Sequence, residues 1–298
     1  MTGRSDARIG VSLALLAALM WGVSGAVAAG AFSEVSPARV AETRALLAVV
    51  VLVPYAWWRG LLNPGDRIWW LVALGVNLAV VNVTFYWAIE RLGVGPGATI
   101  QFLGPILVLV WMVVVQRRSV NRAAWGAAAA AVFGVALVTE AWQLEGSDWL
   151  GVLAGFAAAA TFASYLLLGE HLAKDLPPVT VVAWGFVFAL AFWLIVQPLW
   201  TFPTDISGEA WAALLWVGII GTVIPFISEL AALARVSAGI VGVIATTEPV
   251  FGAIAAWFLL DQQLSGVQIV GASMVVVAVA SIQRWGIPEA EVPLEATR

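Results

Sequence analysis

A chain of 298 residues that is 62% hydrophobic and only 11% charged cannot cover itself with polar surface; a soluble domain carries about 25% charged residues, so lipid is the solvent here. The net charge of −4 and the thin scatter of Lys and Arg leave no basic patch for nucleic acid. With no Cys and a single His, His171, the composition excludes a disulfide framework, an Fe–S cluster, thiol chemistry and a metal site built from several histidines, and no cofactor is expected.

The first residues, up to Arg8, are basic, and an apolar run follows from Ile9. Ala26-Val27-Ala28 resembles a signal-peptide cleavage site, but a run of about twenty residues suits a retained membrane span better than a short signal core. Runs of this length recur almost without pause. Ten spans are predicted, over 9–30, 38–58, 68–90, 96–116, 121–140, 149–170, 178–200, 209–233, 238–260 and 265–284. The short connections hold the charges, Gly and Pro, as in Asn63-Pro64-Gly65-Asp66-Arg67 and Lys174-Asp175-Leu176-Pro177-Pro178. Many of the 17 Trp fall at run ends, among them Trp57, Trp58, Trp69, Trp70, Trp149 and Trp200. That is the aromatic belt expected at headgroup depth. The acidic, proline-containing tail from Ile287 to Arg298 is expected to be disordered.

Positive charge sets the orientation. With the N-terminus inside, the inner segments hold Arg4, Arg8, Arg59, Arg67, Arg117, Arg118, Arg122, Lys174, Arg235 and Arg284, and the outer connections hold Arg39 and Arg91. An even number of spans puts both termini in the cytoplasm. The expected location is the cell inner (cytoplasmic) membrane, with the chain crossing the lipid bilayer many times.

The chain also repeats itself. Gly93 to Pro105 returns 144 positions later as Ser237 to Pro249, each copy with small residues opening an apolar run and a proline inside it. Gly10 to Gly22 lies over Gly151 to Ala163, and Pro37 over Pro178. Two halves follow, about 1–145 and 146–298, with five spans each. Five is odd, so the second half enters from the opposite face, giving an inverted-topology repeat. Such a pair supplies two related conformations, as carriers that alternate access need; a channel or a membrane enzyme does not need it. The predicted fold is an all-α polytopic membrane protein, ten transmembrane helices in two inverted five-helix repeats around a central cavity.

Polar groups at mid-membrane depth face the protein interior or a cavity. The candidates are Trp21 and Ser24 in the first span, Asn77, Asn82 and Tyr86 in the third, and Gln101 in the fourth. The second half adds Thr161, Ser164 and Tyr165 in the sixth span, Glu229 in the eighth, and Thr246, Thr247 and Glu248 in the ninth. Spans 1, 3, 4, 6, 8 and 9 are therefore expected to line the cavity, with spans 2, 5, 7 and 10 as a lipid-facing or supporting shell. Each candidate has a plainer role. Asn, Ser and Thr in membrane helices often only bridge helices, at about 0.6 kcal/mol per bond. Pro105, Pro225 and Pro249 can simply kink helices. The acids are harder to dismiss, since one at helix centre costs roughly 2.5–3.5 kcal/mol. Glu248 can brace the Pro249 kink, bind an ammonium or take part in proton coupling. Glu229 reads as the more structural of the two. Arg44 is expected to bond local carbonyls or Glu42.

On these residues the chain resembles the EamA family of the drug/metabolite transporter (DMT) superfamily over almost its whole length. The resemblance rests on Trp21-Gly22, on YWAIERLGVGPGATIQFLGPILVLVW from Tyr86, on IPFISELAALARVSAGIVGVIATTEPVFGAIAAWFLLDQQLS from Ile224, and on Gly271. The most specific part is Glu248-Pro249, a short helix and then an acid, here Asp261 where the family commonly has Glu. Ser228-Glu229-Leu230 and Phe102-Leu103-Gly104-Pro105 are similar to the amino acid exporter branches, the threonine/homoserine and YddG-type aromatic amino acid exporters. The resemblance implies a basket-like bundle moving a small-molecule substrate, an amino acid, by alternating access. The alternative is export of another small metabolite or of a lipophilic cationic drug. An enzyme lacks support, because there is no metal constellation, nucleotide loop or nucleophile–base pair. A monomer is expected.

Overall fold

The computed structural model describes residues 2–29, 31–32, 34–143, 149–261 and 263–285. The tail expected to be disordered lies outside them. The described residues form twelve α-helices and no strand. They are α1 (Thr2–Ala29), α2 (Pro37–Trp58), α3 (Ile68–Leu92), α4 (Val94–Gln101), α5 (Gly104–Val114), α6 (Arg122–Val138), α7 (Trp149–Ala173), α8 (Pro178–Val196), α9 (Gly208–Leu233), α10 (Ala238–Ala245), α11 (Glu248–Leu260) and α12 (Gly266–Trp285). Eight stretches are long and apolar enough to cross a membrane, counting α4 with α5 and α10 with α11 as one each; α6 and α12 are shorter apolar helices.

The helix starts follow from local chemistry. Pro37 and Pro178 stand in the first turns of α2 and α8, where a missing N–H costs nothing. The Asn121 side chain accepts from the Ala123 N–H at 3.0 Å, and Ser207 Oγ accepts from the Ala210 N–H at 3.1 Å.

Two of the predicted proline-bearing spans, the fourth and the ninth, are each divided. A prolyl ring clashes with the carbonyl four residues back. For Pro105 that residue is Gln101, the last of α4, and for Pro249 it is Ala245, the last of α10. At the second break the Thr246 and Thr247 hydroxyls donate to the Val243 and Ile244 carbonyls, at 2.5 and 2.7 Å. The breaks fall at matching positions of the sequence repeat, Phe102–Leu103 and Thr246–Thr247. Pro225, by contrast, lies inside α9, which runs unbroken from Gly208 to Leu233.

Packing pairs the helices in two sets. α1 packs on α9, α10 and α11, while α7 packs on α3, α4 and α5. α2 touches α8 and α9; α8 touches α2 and α3. α6 and α12 pair at one side, where a Cβ on Gly134 would meet the Gly271 carbonyl at 2.8 Å and one on Gly271 would meet the Gly134 carbonyl at 2.7 Å. Small residues let backbones approach where lipid gives no hydrophobic drive. Large apolar side chains such as Trp57, Trp58, Trp69 and Trp200 stand exposed on the outside.

The connections gather at two ends. At the end holding the start of α1, Arg67 pairs with Asp175 at 2.5 Å and the Leu61 carbonyl accepts from Thr180 at 2.7 Å. At the far end, Arg39 donates to the Gln197 and Thr201 carbonyls, both at 3.2 Å. Glu34 accepts from the Ser207 N–H at 2.6 Å and the Ser207 hydroxyl at 2.7 Å. These two bonds, the backbone one first, hold the Glu34 carboxyl below its ordinary value of 4.5. A depressed folded-state value means the tie stabilises fully above the unfolded value and is lost as pH falls through the lower folded one. Thermal unfolding should therefore show Glu34→Gln slightly less stable than wild type at neutral pH. The difference should vanish as pH falls through the lowered folded-state value; a difference independent of pH would contradict the tie.

The two ends are not equally closed. α10 is buried along its entire length, from Ala238 to Ala245, and packs on α5 and α7 at the α1-start end. The matching segment α4 at the far end is mostly half-buried, and its equivalent pairings, with α11 and α1, are all but absent.

Candidate functional site

The middle of the bundle is aromatic on one side and polar on the other. Phe226 of α9 is the hub. Trp21 of α1 meets it edge-on with ring centroids 5.0 Å apart, Phe186 of α8 at 4.9 Å and Tyr165 of α7 at 6.0 Å. Edge-to-face pairs of this kind are the favoured arrangement of aromatic rings. Beside the hub lies a cavity of about 50 Å³ whose lining includes Phe186, Trp193 and Phe226 on the aromatic side and Arg44 and Asn82 on the polar side. It has room for water or one small polar group, so a larger guest needs the far end to open further.

This corrects the expected division of labour among the spans. α2 and α8, the second and seventh, line the cavity instead of forming only a shell. Arg44 is the reason on α2. It does not bond locally: its Nε donates to Thr222 Oγ1 of α9 at 2.9 Å, and Thr222 donates to the Val217 carbonyl at 2.7 Å. Glu42 is taken by Arg39, at 2.5 Å. Arg44 remains partly exposed, with Tyr86 and Glu248 as its electrostatic neighbours.

The two intramembrane acids differ sharply. Glu229, 1% exposed, accepts from the Tyr165 hydroxyl at 2.6 Å and ties α9 to α7. Tyr165→Phe leaves that acid buried without its donor, so thermal unfolding in detergent should show a loss of about 2 kcal/mol. Glu229→Gln keeps an acceptor for the hydroxyl and should cost less; equal stability of Tyr165→Phe and wild type would contradict the tie. Glu248 is half-buried, and its carboxylate makes no hydrogen bond among the described residues. It is the first residue of α11, where unpaired backbone N–H groups and the helix dipole favour negative charge.

The remaining candidates sort by what their polar atoms do. Asn82 donates to the Leu78 carbonyl at 2.6 Å and, through its Oδ1, accepts weakly from the Tyr86 hydroxyl at 3.4 Å. Trp21 Nε1, Asn77 Oδ1 and Gln101 Oε1 are buried with no partner among the described residues. A buried polar atom left so costs about 1–3 kcal/mol, which a bound ligand can recover. Thr161 and Thr246 are spent locally, on the Ala157 carbonyl at 2.8 Å and the Val243 carbonyl at 2.5 Å. Ser24 is buried against Gly221 of α9, whose added Cβ would clash with Ser24 Oγ. Ser164 is half-buried on α7.

Sequence reasoning passes over Phe226, Phe186 and Trp193. Spacing holds the missing signal: Thr222, Phe226 and Glu229 fall at i, i+4 and i+7, and Phe186 and Trp193 at i, i+7, each set on one helix face. Among the described residues no three of His, Cys, Asp and Glu come together as metal ligands.

Comparison with known proteins places this architecture. The chain is 26% identical to the threonine/homoserine exporter RhtA of Escherichia coli (strain K12) over 276 residues, covering 90% of this chain and 88% of that protein. It is 26% identical to the uncharacterized transporter YwfM of Bacillus subtilis (strain 168) over 257 residues, covering 84% and 86%. A solved crystal structure shares the fold with a TM-score of 0.80 at 17% sequence identity, over 93% of this chain and 96% of that one. The sequence profile of the EamA-like transporter family matches residues 8–140 and again residues 149–283. The protein is thus a multi-pass membrane transporter, not an enzyme, and belongs to the EamA-like transporter family.

Proposed function

We propose that the protein exports amino acids, neutral and aromatic ones in particular, from the cytoplasm across the inner membrane by alternating access. The observation that carries this reading is Glu248: a half-buried acid at the start of a broken helix, packed on Gly22 next to the Trp21 ring that meets Phe226. Glu248 accepts the substrate ammonium. Trp21, Tyr86 and the Phe226 cluster meet its side chain, and Gln101 and Asn77 offer the unpaired polar atoms. The named function of RhtA supports an amino acid as cargo. The cation of Arg44 in the cavity wall weighs against a lipophilic cationic drug.

In this reading ten spans form two inverted halves, 1–145 and 146–298. The two separate family matches, the matching breaks and the paired packing of α1 with α9–α11 and α7 with α3–α5 support it. The α1-start end is cytoplasmic by the positive-charge bias, so the closed end faces the cytoplasm and the open end faces outward. The protein works as a monomer.

The test is efflux from cells lacking their own exporters, loaded with a panel of neutral amino acids. Expression should speed the efflux of several; unchanged efflux of all of them, with the protein present in the membrane, would contradict the reading. If protons are coupled through Glu248, Glu248→Gln should abolish the pH dependence of transport. A variant matching wild type at every pH removes proton coupling.

A further inference from the structure

An arginine in the middle of a membrane bundle is costly unless its donors are used. The guanidinium of Arg44 carries five N–H donors in a rigid fork. One, on Nε, is committed to Thr222, whose own proton goes to the Val217 carbonyl, so the hydroxyl oxygen is turned to Arg44 as an acceptor. That bond fixes the plane of the guanidinium. No other hydrogen bond of Arg44 is found among the described residues, and no ion pair closes between Arg44 and Glu248 although each senses the other's charge. The fork lies in the wall of the cavity beside Asn82 and Phe226. Glu248 stands beside Gly22, next to Trp21, whose ring meets the Phe226 of the cavity wall. A positive fork and a carboxylate on different helices, near each other and not joined, are complementary to a molecule that bears both charges on one carbon.

We propose that Arg44 is the carboxylate anchor of this site and that the Arg44–Glu248 pair restricts the substrate to zwitterionic α-amino acids, against both amines and organic acids. The inference rests on the amino acid reading above. A guanidinium fork grips a carboxylate through two parallel N–H···O bonds. An amine lacking the carboxylate leaves that fork unpaired and meets a like charge. An acid lacking the ammonium leaves Glu248 unpaired and meets a like charge there. Because Arg44 stands on α2 and Glu248 on α11, the substrate also bridges the two halves.

The test is counterflow of labelled L-phenylalanine into liposomes holding the protein, competed by unlabelled L-phenylalanine, phenethylamine and 3-phenylpropionate. Wild type should prefer the amino acid over either analogue by at least about tenfold, since a site built to hydrogen-bond a group rejects the analogue without it. Arg44→Gln should weaken L-phenylalanine by at least about tenfold and leave phenethylamine no weaker, since the amine loses only a like charge. Equal weakening of both, or equal competition by all three in wild type, overturns the anchor. No amino acid counterflow in wild type overturns the amino acid reading itself. Wild-type protein gives a second readout that does not depend on a variant folding: modification of Arg44 by phenylglyoxal, followed by peptide mass. L-phenylalanine should protect Arg44 and phenethylamine should not; failure of L-phenylalanine to protect overturns the anchor.

Discussion

Glu170→Ala should release α10 and open the bundle at the α1-start end. Glu170 is 5% exposed near the end of α7. It accepts from the Ala238 N–H, the first of α10, at 3.0 Å, and from Arg118, just beyond α5, at 3.2 Å. Lys174 adds a third contact at 3.3 Å, but it is 54% exposed and contributes little. One carboxylate thus joins three elements, α5, α7 and α10, whose packing closes this end. The matching position on α1, 141 residues earlier, is Ala29, so the acid has no counterpart at that position of the other half. Removing a buried acceptor from a backbone N–H and an arginine costs about 1–3 kcal/mol. That free energy is lost from the closed state alone, and about 1.4 kcal/mol already shifts the balance tenfold. The native chain has no Cys, so one introduced at Val243, which is 0% exposed in α10, reports cleanly. Maleimide should label Val243→Cys at least about tenfold faster when Glu170→Ala is added. Equal labelling rates with and without Glu170 would contradict the latch.

Gly22→Val should abolish transport while Gly25→Ala leaves it intact. A Cβ at Gly22 would lie 2.7 Å from the Glu248 carbonyl oxygen and 2.7 Å from the Gly252 nitrogen, with Phe251 Cβ at 2.8 Å. Two of these are backbone atoms of α11, so no side-chain rotation relieves the clash and α1 must retreat. Overpacking of this kind costs about 1–3 kcal/mol. The larger effect is positional, because the displaced segment is the start of α11, which carries Glu248. A displacement of about 1 Å at a reacting or binding group can cost about a hundredfold. Gly25, on the same helix, has nothing within 4 Å of its added Cβ and serves as the control. Counterflow rates with thermal unfolding as a companion measurement separate the two effects. Gly22→Val transport within about twofold of wild type would show that the α1–α11 crossing does not position Glu248.

Much of the fold is legible in the sequence because it depends on long-range composition and on proline chemistry. Apolar runs and charge-bearing connections mark the helices, and Pro105 and Pro249 mark the breaks through their own carbonyl clashes. The site is only partly legible. Side-chain direction is the difficulty: Arg44 can turn to Glu42 or across the bundle to Thr222, and spacing alone does not decide. Thr161 and Thr246 look alike to Gln101 as polar residues at depth, yet their short hydroxyls reach the carbonyls of their own helix, while the longer Gln101 and Asn77 side chains leave an oxygen unpaired. Phe186, Trp193 and Phe226 are invisible for another reason. In a chain with aromatic rings facing lipid as well as protein, composition does not distinguish a cavity wall from a lipid-facing surface.

Whether the chain carries amino acids through the bilayer unchanged is tested most directly with pure protein in liposomes preloaded with unlabelled neutral amino acid. Labelled L-threonine or L-phenylalanine added outside should accumulate transiently above its equilibrium level and be recovered chemically intact. Uptake no greater than that of empty liposomes for every amino acid tried, by protein that retains its helical fold, would contradict amino acid export.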